Sequence, residues 1–311
     1  MRVFCLLLLS TLACAARQPT MEHVMPHPEL RRALAARGAR ELVSVLGVEL
    51  ALHDSDPSGS KPSIFCLHAI GHGGSDFAAF EEAFAPSYRI LTLDWPGQGA
   101  SGVDSHPADA QRYHELFSAL VERLSLKRLI LLGNSIGGSV AIRYAAAHPE
   151  DVRAILLSNS AGLDRNPGGF LPKLFIGQVE RNMRRGAAGD PAFLRWFRDY
   201  YAKILITPAA AAQRAAIVAN GYEVAPVLMQ AWHSFARADS DVRMLARGLS
   251  MPVFVAWARH DRAIRWSRNR AAVEQIPGVE IEQFDAGHAP FLETPDAFNR
   301  SASAFLRKHQ L

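Results

Sequence analysis

The feature that most limits how this chain can fold is an alternation of short apolar runs with helix-like stretches, broken once and then resumed. Ser63 to Ala69, Arg89 to Leu93, Arg128 to Leu132 and Val152 to Leu157 read as strands. Between them Asp76 to Phe84, Ala110 to Leu124 and Ile136 to Ala147 read as helices. Strands that are apolar on both faces fit a parallel sheet, because the helices of the crossovers cover both of its sides. The expected class is α/β, a mostly parallel central sheet with helices on both faces. Ahead of it, Glu41 to Leu46 and Val48 to His53 flank Gly47 and predict an antiparallel start.

From Gly162 to Ser250 the rhythm changes: roughly 85 residues carry helical patterns and several breakers but no strand, a stretch too long and too apolar for a loose loop. The alternation then returns, with a strand at Pro252 to Ala256, a helix at Ser267 to Gln275, a strand at Val279 to Phe284 and a closing helix at Pro295 to Lys308. The simplest account is a helical cap, residues 163–250, inserted above the strand ends of a core made from residues 41–162 and 251–311.

The N-terminus departs from this pattern. Met1-Arg2 precedes the apolar stretch Val3 to Ala16, with small residues Ala13-Cys14-Ala15 near its exit. A basic start, a short apolar run and a small-residue end describe a signal peptide, and the run is too short to span a bilayer. The expectation is an exported protein, secreted or periplasmic, cleaved after Ala15 or Ala16, with residues 17–40 as a lead-in and no integral membrane span. Lipid attachment at Cys14 is the other use of such a segment, although Thr11 stands where the lipoprotein signal prefers leucine. Cys5 and Cys14 fall in the leader, so Cys66 remains alone in an apolar run, where packing explains it and no intrachain disulfide is expected. The 34 basic and 30 acidic residues are interspersed, giving a formal charge of +4 with no basic stripe among aromatics, so no nucleic-acid partner is expected.

Chemistry concentrates at the strand ends. Gly133-Asn134-Ser135-Ile136-Gly137 follows the apolar Leu129 to Leu132 and opens onto a helix. Small flanking residues let a serine sit on a sharp bend and present its hydroxyl. A serine hydroxyl attacks only when a base takes its proton, so Ser135 calls for a histidine and an acid in loops at the same sheet edge. His288 follows the last strand and Asp261 follows the strand before it. Asp164 and Asp285 are rival acids, one just ahead of the cap, the other close in sequence to His288. The oxyanion formed on attack needs amide donors: Ile136 from the bend itself and Ile70 from the loop His68 to Ser75, with Gly71 next. That loop lacks the Lys-Ser/Thr ending of a phosphate loop and the spacing of a dinucleotide fingerprint, and His68 and His72 lack the glutamate between them of a zinc helix, so neither cofactor nor metal is expected.

Five ordered motifs carry a family resemblance: the loop from His68, Asp94-Trp95-Pro96-Gly97-Gln98-Gly99-Ala100-Ser101, Gly133 to Gly138, Trp257 to Asp261, and Gly287 to Glu293. Together they resemble the α/β-hydrolase superfamily, in its capped single-domain serine hydrolase branch. The resemblance implies the α/β-hydrolase fold, a triad in the chain order Ser135, Asp261, His288, and a turn organised by Asp94. Ala69 departs from the family, which usually has glycine after the histidine. The nucleophile position holds serine, where the similar epoxide hydrolases and haloalkane dehalogenases use aspartate. Asn134-Ser135-Ile136 and Ser160-Ala161-Gly162-Leu163 resemble the subfamily that hydrolyses carbon-carbon bonds in ring-cleavage products, but Ala289 stands where that subfamily commonly has tryptophan. The reading implied is an exported serine hydrolase acting on a small-molecule ester or related carbonyl compound. Carbon-carbon hydrolysis of a vinylogous diketone and a catalytically silent binding module are the alternatives. In the cap, Phe193, Trp196, Phe197, Tyr200 and Tyr201 recur at helical spacing, and Trp232 with Phe235 forms a second cluster. Packing between cap and sheet accounts for such a stripe, and any part lining the space above Ser135 would favour an apolar acyl or aromatic group.

Overall fold

The computed structural model describes residues 40–164 and 169–311. The expected leader, Cys14 and the lead-in up to residue 39 lie outside the described residues.

Strands β1 (Glu41–Val45) and β2 (Val48–Asp54) form an antiparallel hairpin. Its turn residues Leu46 and Gly47 both have positive φ, 47° and 83°, the backbone that lets a two-residue turn follow the twist of its strands. β2 lies antiparallel to β4 (Arg89–Leu93). From there the sheet is parallel through β3 (Ser63–Leu67), β5 (Leu129–Asn134), β6 (Val152–Ser158), β7 (Val253–Ala258) and β8 (Glu280–Phe284). The spatial order is β1-β2-β4-β3-β5-β6-β7-β8. Every residue of β5 and β7 is buried, as central strands covered on both faces must be. At the edge, β8 leaves Ile281 and Glu282 exposed.

Helices α1 (Ala78–Phe84), α2 (Ala110–Arg123) and α3 (Ile136–Ala147) fill the first crossovers. Between β6 and β7 the described residues form helices and no strand: α4 (Phe170–Ala187), α5 (Ala192–Tyr201), α6 (Ala211–Ala219), α7 (Gly221–Ser234) and α8 (Arg243–Arg247). The chain closes with α9 (Trp266–Val273), α10 (Pro290–Glu293) and α11 (Pro295–Lys308). α2 packs on α3 and α1 on α11. Aromatic pairs fill the core, with Phe65 edge-on to Phe117 at 5.0 Å and Phe77 stacked on Phe291 at 4.5 Å. No helix among the described residues is long and apolar enough to cross a membrane.

Leu46, expected in the first strand, falls in its turn, and the other differences that matter sit at the element ends that carry the site. β5 runs on through Gly133 and Asn134, so the serine follows the strand directly. β3 stops at Leu67, where Gly137 approaches so closely that a side chain there would collide with the Leu67 carbonyl. α1 starts two residues late because Gly74–Phe77 winds as a tighter 3-10 turn.

Candidate active site

Ser135 lies between β5 and α3 with φ 54° and ψ −117°, a backbone conformation costly for any residue with a side chain and found where surrounding structure enforces it. The enforcement is visible. The Ser135 amide donates to the Ser158 carbonyl at 3.1 Å, and the Ser135 carbonyl accepts from Gly138, Ser139 and Ala161. A side chain at Gly133 would meet the Gly137 carbonyl at 2.6 Å, so the glycines the motif demands are those the bend has no room to replace. Asn134 donates through Nδ2 to the Ser158 carbonyl at 2.9 Å and the His288 carbonyl at 3.3 Å, tying the bend to the histidine loop.

His288 and Asp261 come together: His288 Nδ1 lies 2.7 Å from Asp261 Oδ2, with both side chains buried. Three further donors hold the carboxylate. Ala263 and Ile264 give backbone N–H groups to Oδ1 at 2.7 and 2.8 Å, and Asn159 Nδ2 donates to Oδ2 at 2.5 Å. Asn159 itself sits past the end of β6 at φ 44° and accepts the Ala258 amide on its Oδ1 at 2.8 Å, so it locks the two strand ends together. The rival acids are engaged elsewhere: Asp164 pairs with Arg268 at 2.6 and 2.8 Å, and exposed Asp285 with His260 at 2.6 Å. Burial, the largest influence on His288, disfavours its charged form. The charge and hydrogen bond of Asp261 and the charge of Glu293 outweigh it, and the imidazole is raised above its ordinary 6.5.

Glu293 was legible only as a letter in the histidine motif. It is 2% exposed, and its carboxylate accepts the amides of Gly287, His288 and Ala289 at 2.7 to 3.0 Å, with Ile206 and Thr207 of the cap at 2.7 and 3.3 Å. One buried charge therefore sets the path of the histidine loop and joins it to the cap. Asn159, the hidden side-chain support of the Asp261 carboxylate, carried no motif that would have marked it.

The loop after β3 turns between Ala69 and His72, whose amide donates to the Ala69 carbonyl at 3.2 Å, with Gly71 at φ 80°. Gly71 donates its amide to Gln98 Oε1 at 2.5 Å. Of the two second donors considered, Ile70 is thus the one with an N–H that no group among the described residues takes up. Ile136 opens α3, where an amide has no carbonyl one turn earlier to bind. His68 is fixed as a neutral ring: Nε2 accepts the Trp95 amide at 2.9 Å, Nδ1 lies 2.6 Å from the Ala69 carbonyl, and burial pushes its pKa down to about 4. Asp94 organises its turn by accepting the amides of Gly74 at 2.8 Å and Ala100 at 3.0 Å.

Ser135, His288 and Ile70 line one cavity of about 350 Å³, within the range of small-molecule sites. Among the described residues no hydrogen bond links Ser135 Oγ to His288, a contact that in such sites often tightens only when substrate binds. Tyr200, Tyr201 and Trp232 of the cap complete the wall, so part of the aromatic stripe faces the cavity while Phe193 and Phe197 pack inside the cap. Burial raises the phenols of Tyr200 and Tyr201, which keeps both as neutral donors. The His, Asp and Glu atoms close enough to share a cation, among the described residues, are those of His148, Glu150 and Asp151, beyond the end of α3 remote from Ser135.

Comparisons with known proteins agree with this architecture. The chain is 27% identical, over 81% of its length, to the dihydrolipoyllysine-residue acetyltransferase component of an acetoin cleaving system from Pseudomonas putida, and spans 65% of that protein. It is 24% identical to a 2-hydroxy-6-oxononadienedioate/2-hydroxy-6-oxononatrienedioate hydrolase from Cupriavidus pinatubonensis, covering 88% of this chain and 98% of that one. A thermophilic esterase from Thermogutta terrifontis superposes with a TM-score of 0.72 at 20% identity, over 88% of this chain and 99% of the esterase. A profile of the alpha/beta hydrolase family matches residues 64–301. With that match running from β3 through β8 and taking in the serine bend and the histidine loop, the chain belongs to the alpha/beta hydrolase family.

Proposed function

We propose that the protein is a serine hydrolase that cleaves a carboxylic ester through an acyl-enzyme on Ser135. The observation that carries this reading is a serine held at positive φ on the wall of the cavity that His288, hydrogen-bonded to buried Asp261, also lines. His288 Nε2 takes the Ser135 proton as Oγ attacks the ester carbonyl. Asp261 holds the ring so that Nδ1 keeps its proton, and stabilises the imidazolium that forms. The amides of Ile136 and Ile70 receive the oxyanion. His288 then protonates the departing alcohol, and a water activated by the same imidazole releases the acid. Ser135→Ala is expected to lower kcat for a short chromogenic ester by about 10⁴-fold or more with the fold retained, and a fluorophosphonate should label the wild type at Ser135. An unlabelled Ser135, or an alanine variant with unchanged turnover, removes the serine from the mechanism.

A second reading is carbon-carbon hydrolysis of a vinylogous diketone, favoured by the relative whose name gives a 2-hydroxy-6-oxononadienedioate substrate and by Asn134 beside the serine. Labelling cannot separate the two; turnover of a panel containing both substrate types does. Export goes with the ester reading through the leader pattern at residues 1–16, and N-terminal sequencing of the mature chain tests it, an intact Met1 counting against cleavage.

A further inference from the structure

A second imidazole lines the same cavity and takes no part in the steps above. His72 is 6% exposed, on the turn that follows Ile70, and its Nδ1 lies 2.5 Å from Asp76 Oδ2. Asp76 is sealed from solvent, and its other oxygen accepts a hydrogen bond from Gln213 Nε2 of α6. The His72 ring leans on Tyr201 of α5, centroids 5.7 Å apart. With Nδ1 committed to the carboxylate, Nε2 is the ring's remaining polar atom. No protein group among the described residues binds it, yet it is not closed off from the cavity. A buried nitrogen fixed in direction by a carboxylate and left facing a cavity is arranged for a ligand, since packing alone would be served better by an apolar ring.

We propose that His72 is a specificity-determining residue that hydrogen-bonds a hydroxyl on the substrate, so that the cavity selects hydroxylated esters over their deoxy counterparts; this rests on the Ser135 hydrolase reading. A hydroxyl both donates and accepts, so it satisfies Nε2 whether or not that nitrogen carries a proton. Being uncharged, it sets no anion beside Asp76. An ester without the hydroxyl would leave the buried nitrogen unpaired, which is the source of strong discrimination by polar pockets.

Two pairs of esters that differ by one hydroxyl test this. The p-nitrophenyl esters of 3-hydroxybutyrate and butyrate place it on the acyl side, and 2-hydroxypropyl butyrate with propyl butyrate places it on the alcohol side. For wild type, kcat/KM should favour the hydroxylated member of one pair by about tenfold or more, and the pair concerned identifies the side. His72→Phe should bring that ratio to near unity, while His72→Gln, which keeps a polar atom at similar reach, should retain part of it. Asp76→Asn, which loosens the ring, should also lower the ratio and serves if His72→Phe fails to fold. A ratio near unity in both pairs for wild type overturns the proposal, as does a ratio unchanged in His72→Phe. In Ser135→Ala the same pairs are compared by calorimetric binding, expecting the same preference. That arm judges His72 without turnover, while fluorophosphonate labelling judges Ser135 separately.

Discussion

Two imidazole–carboxylate pairs face one cavity, and they are built to different standards. His288–Asp261 and His72–Asp76 have similar Nδ1–oxygen separations, 2.7 and 2.5 Å, and both are buried. Asp261, however, takes three further donors, all from loops at the ends of core strands, and the backbone of its histidine is gripped by Glu293. The other side-chain donor to Asp76 is one cap glutamine, and the ring of its histidine rests on a cap tyrosine. The carboxylate of the first pair is held by core loops alone, with the cap reaching only the Glu293 behind its histidine, whereas the carboxylate of the second is shared between core and cap. A geometry that must be right to within about half an ångström for bond-breaking belongs on rigid elements. A contact that only selects substrate tolerates placement at a junction, where changes in the cap retune it without disturbing the chemistry.

The sharpest way to break this contrast is to weaken each carboxylate in turn. Asp261→Asn should cut kcat for any cleaved ester by about 10³- to 10⁴-fold, because the amide no longer holds His288 in the tautomer that can accept the serine proton. Asp76→Asn should instead alter the preference between hydroxylated and deoxy esters. Equal losses in kcat from both substitutions, measured at saturating ester, would show that the two pairs do one job.

Asn159→Ala comes next. It removes the 2.5 Å donor to Asp261 Oδ2 and also frees the Ala258 amide. A hydrogen bond to a buried charge is worth about 1.5–3 kcal/mol, so kcat should fall by about ten- to a hundredfold. Near-wild-type turnover would mean that the two backbone amides suffice.

These supports also mark where the sequence stopped being readable. Ser135, His288 and Asp261 were legible because each role leaves a local signature: glycines around a bend, or a loop directly after a strand. That β3, β5, β6 and β7 lie in a parallel sheet was legible through runs apolar on both faces; their order was not. Asn159 acts on a residue 102 positions away, and Gln213 on one 137 positions away; nothing near either one in sequence announces its partner. Glu293 was visible in its motif, but its reason, a carboxylate collecting amides from both core and cap, exists only once the chain has folded. What separates Asp164, Asp261 and Asp285 is likewise their partners, since Arg268 and His260 hold two of them while Asp261 faces His288.

The pH profile probes the core pair alone. A base must be neutral to act, so activity should rise with pH through the His288 pKa, which the net influence of its neighbours places above 6.5. One pH unit below the midpoint of this limb, kcat/KM should fall by about tenfold. Since the charge of Asp261 is what holds the midpoint up, Asp261→Asn should move it down, whereas Asp76→Asn should leave it nearer the wild-type position. A flat profile between about pH 5 and about pH 8 would count against His288 as the base.

The smallest expected effect is the most specific to the junction. Gln213→Ala removes the cap's hydrogen bond to Asp76 and its 3.3 Å contact with Ser75, from a half-buried position outside the cavity wall. Asp76 and His72 would keep their mutual bond, so the ring should lose direction without losing its place. The preference between hydroxylated and deoxy esters should drop by about two- to fivefold, as for one modest hydrogen bond acting through another, and the pH midpoint should not move, because nothing around His288 has changed. A shifted midpoint with an intact preference would reverse the assignment, tying Gln213 and the cap to the chemistry and not to selection.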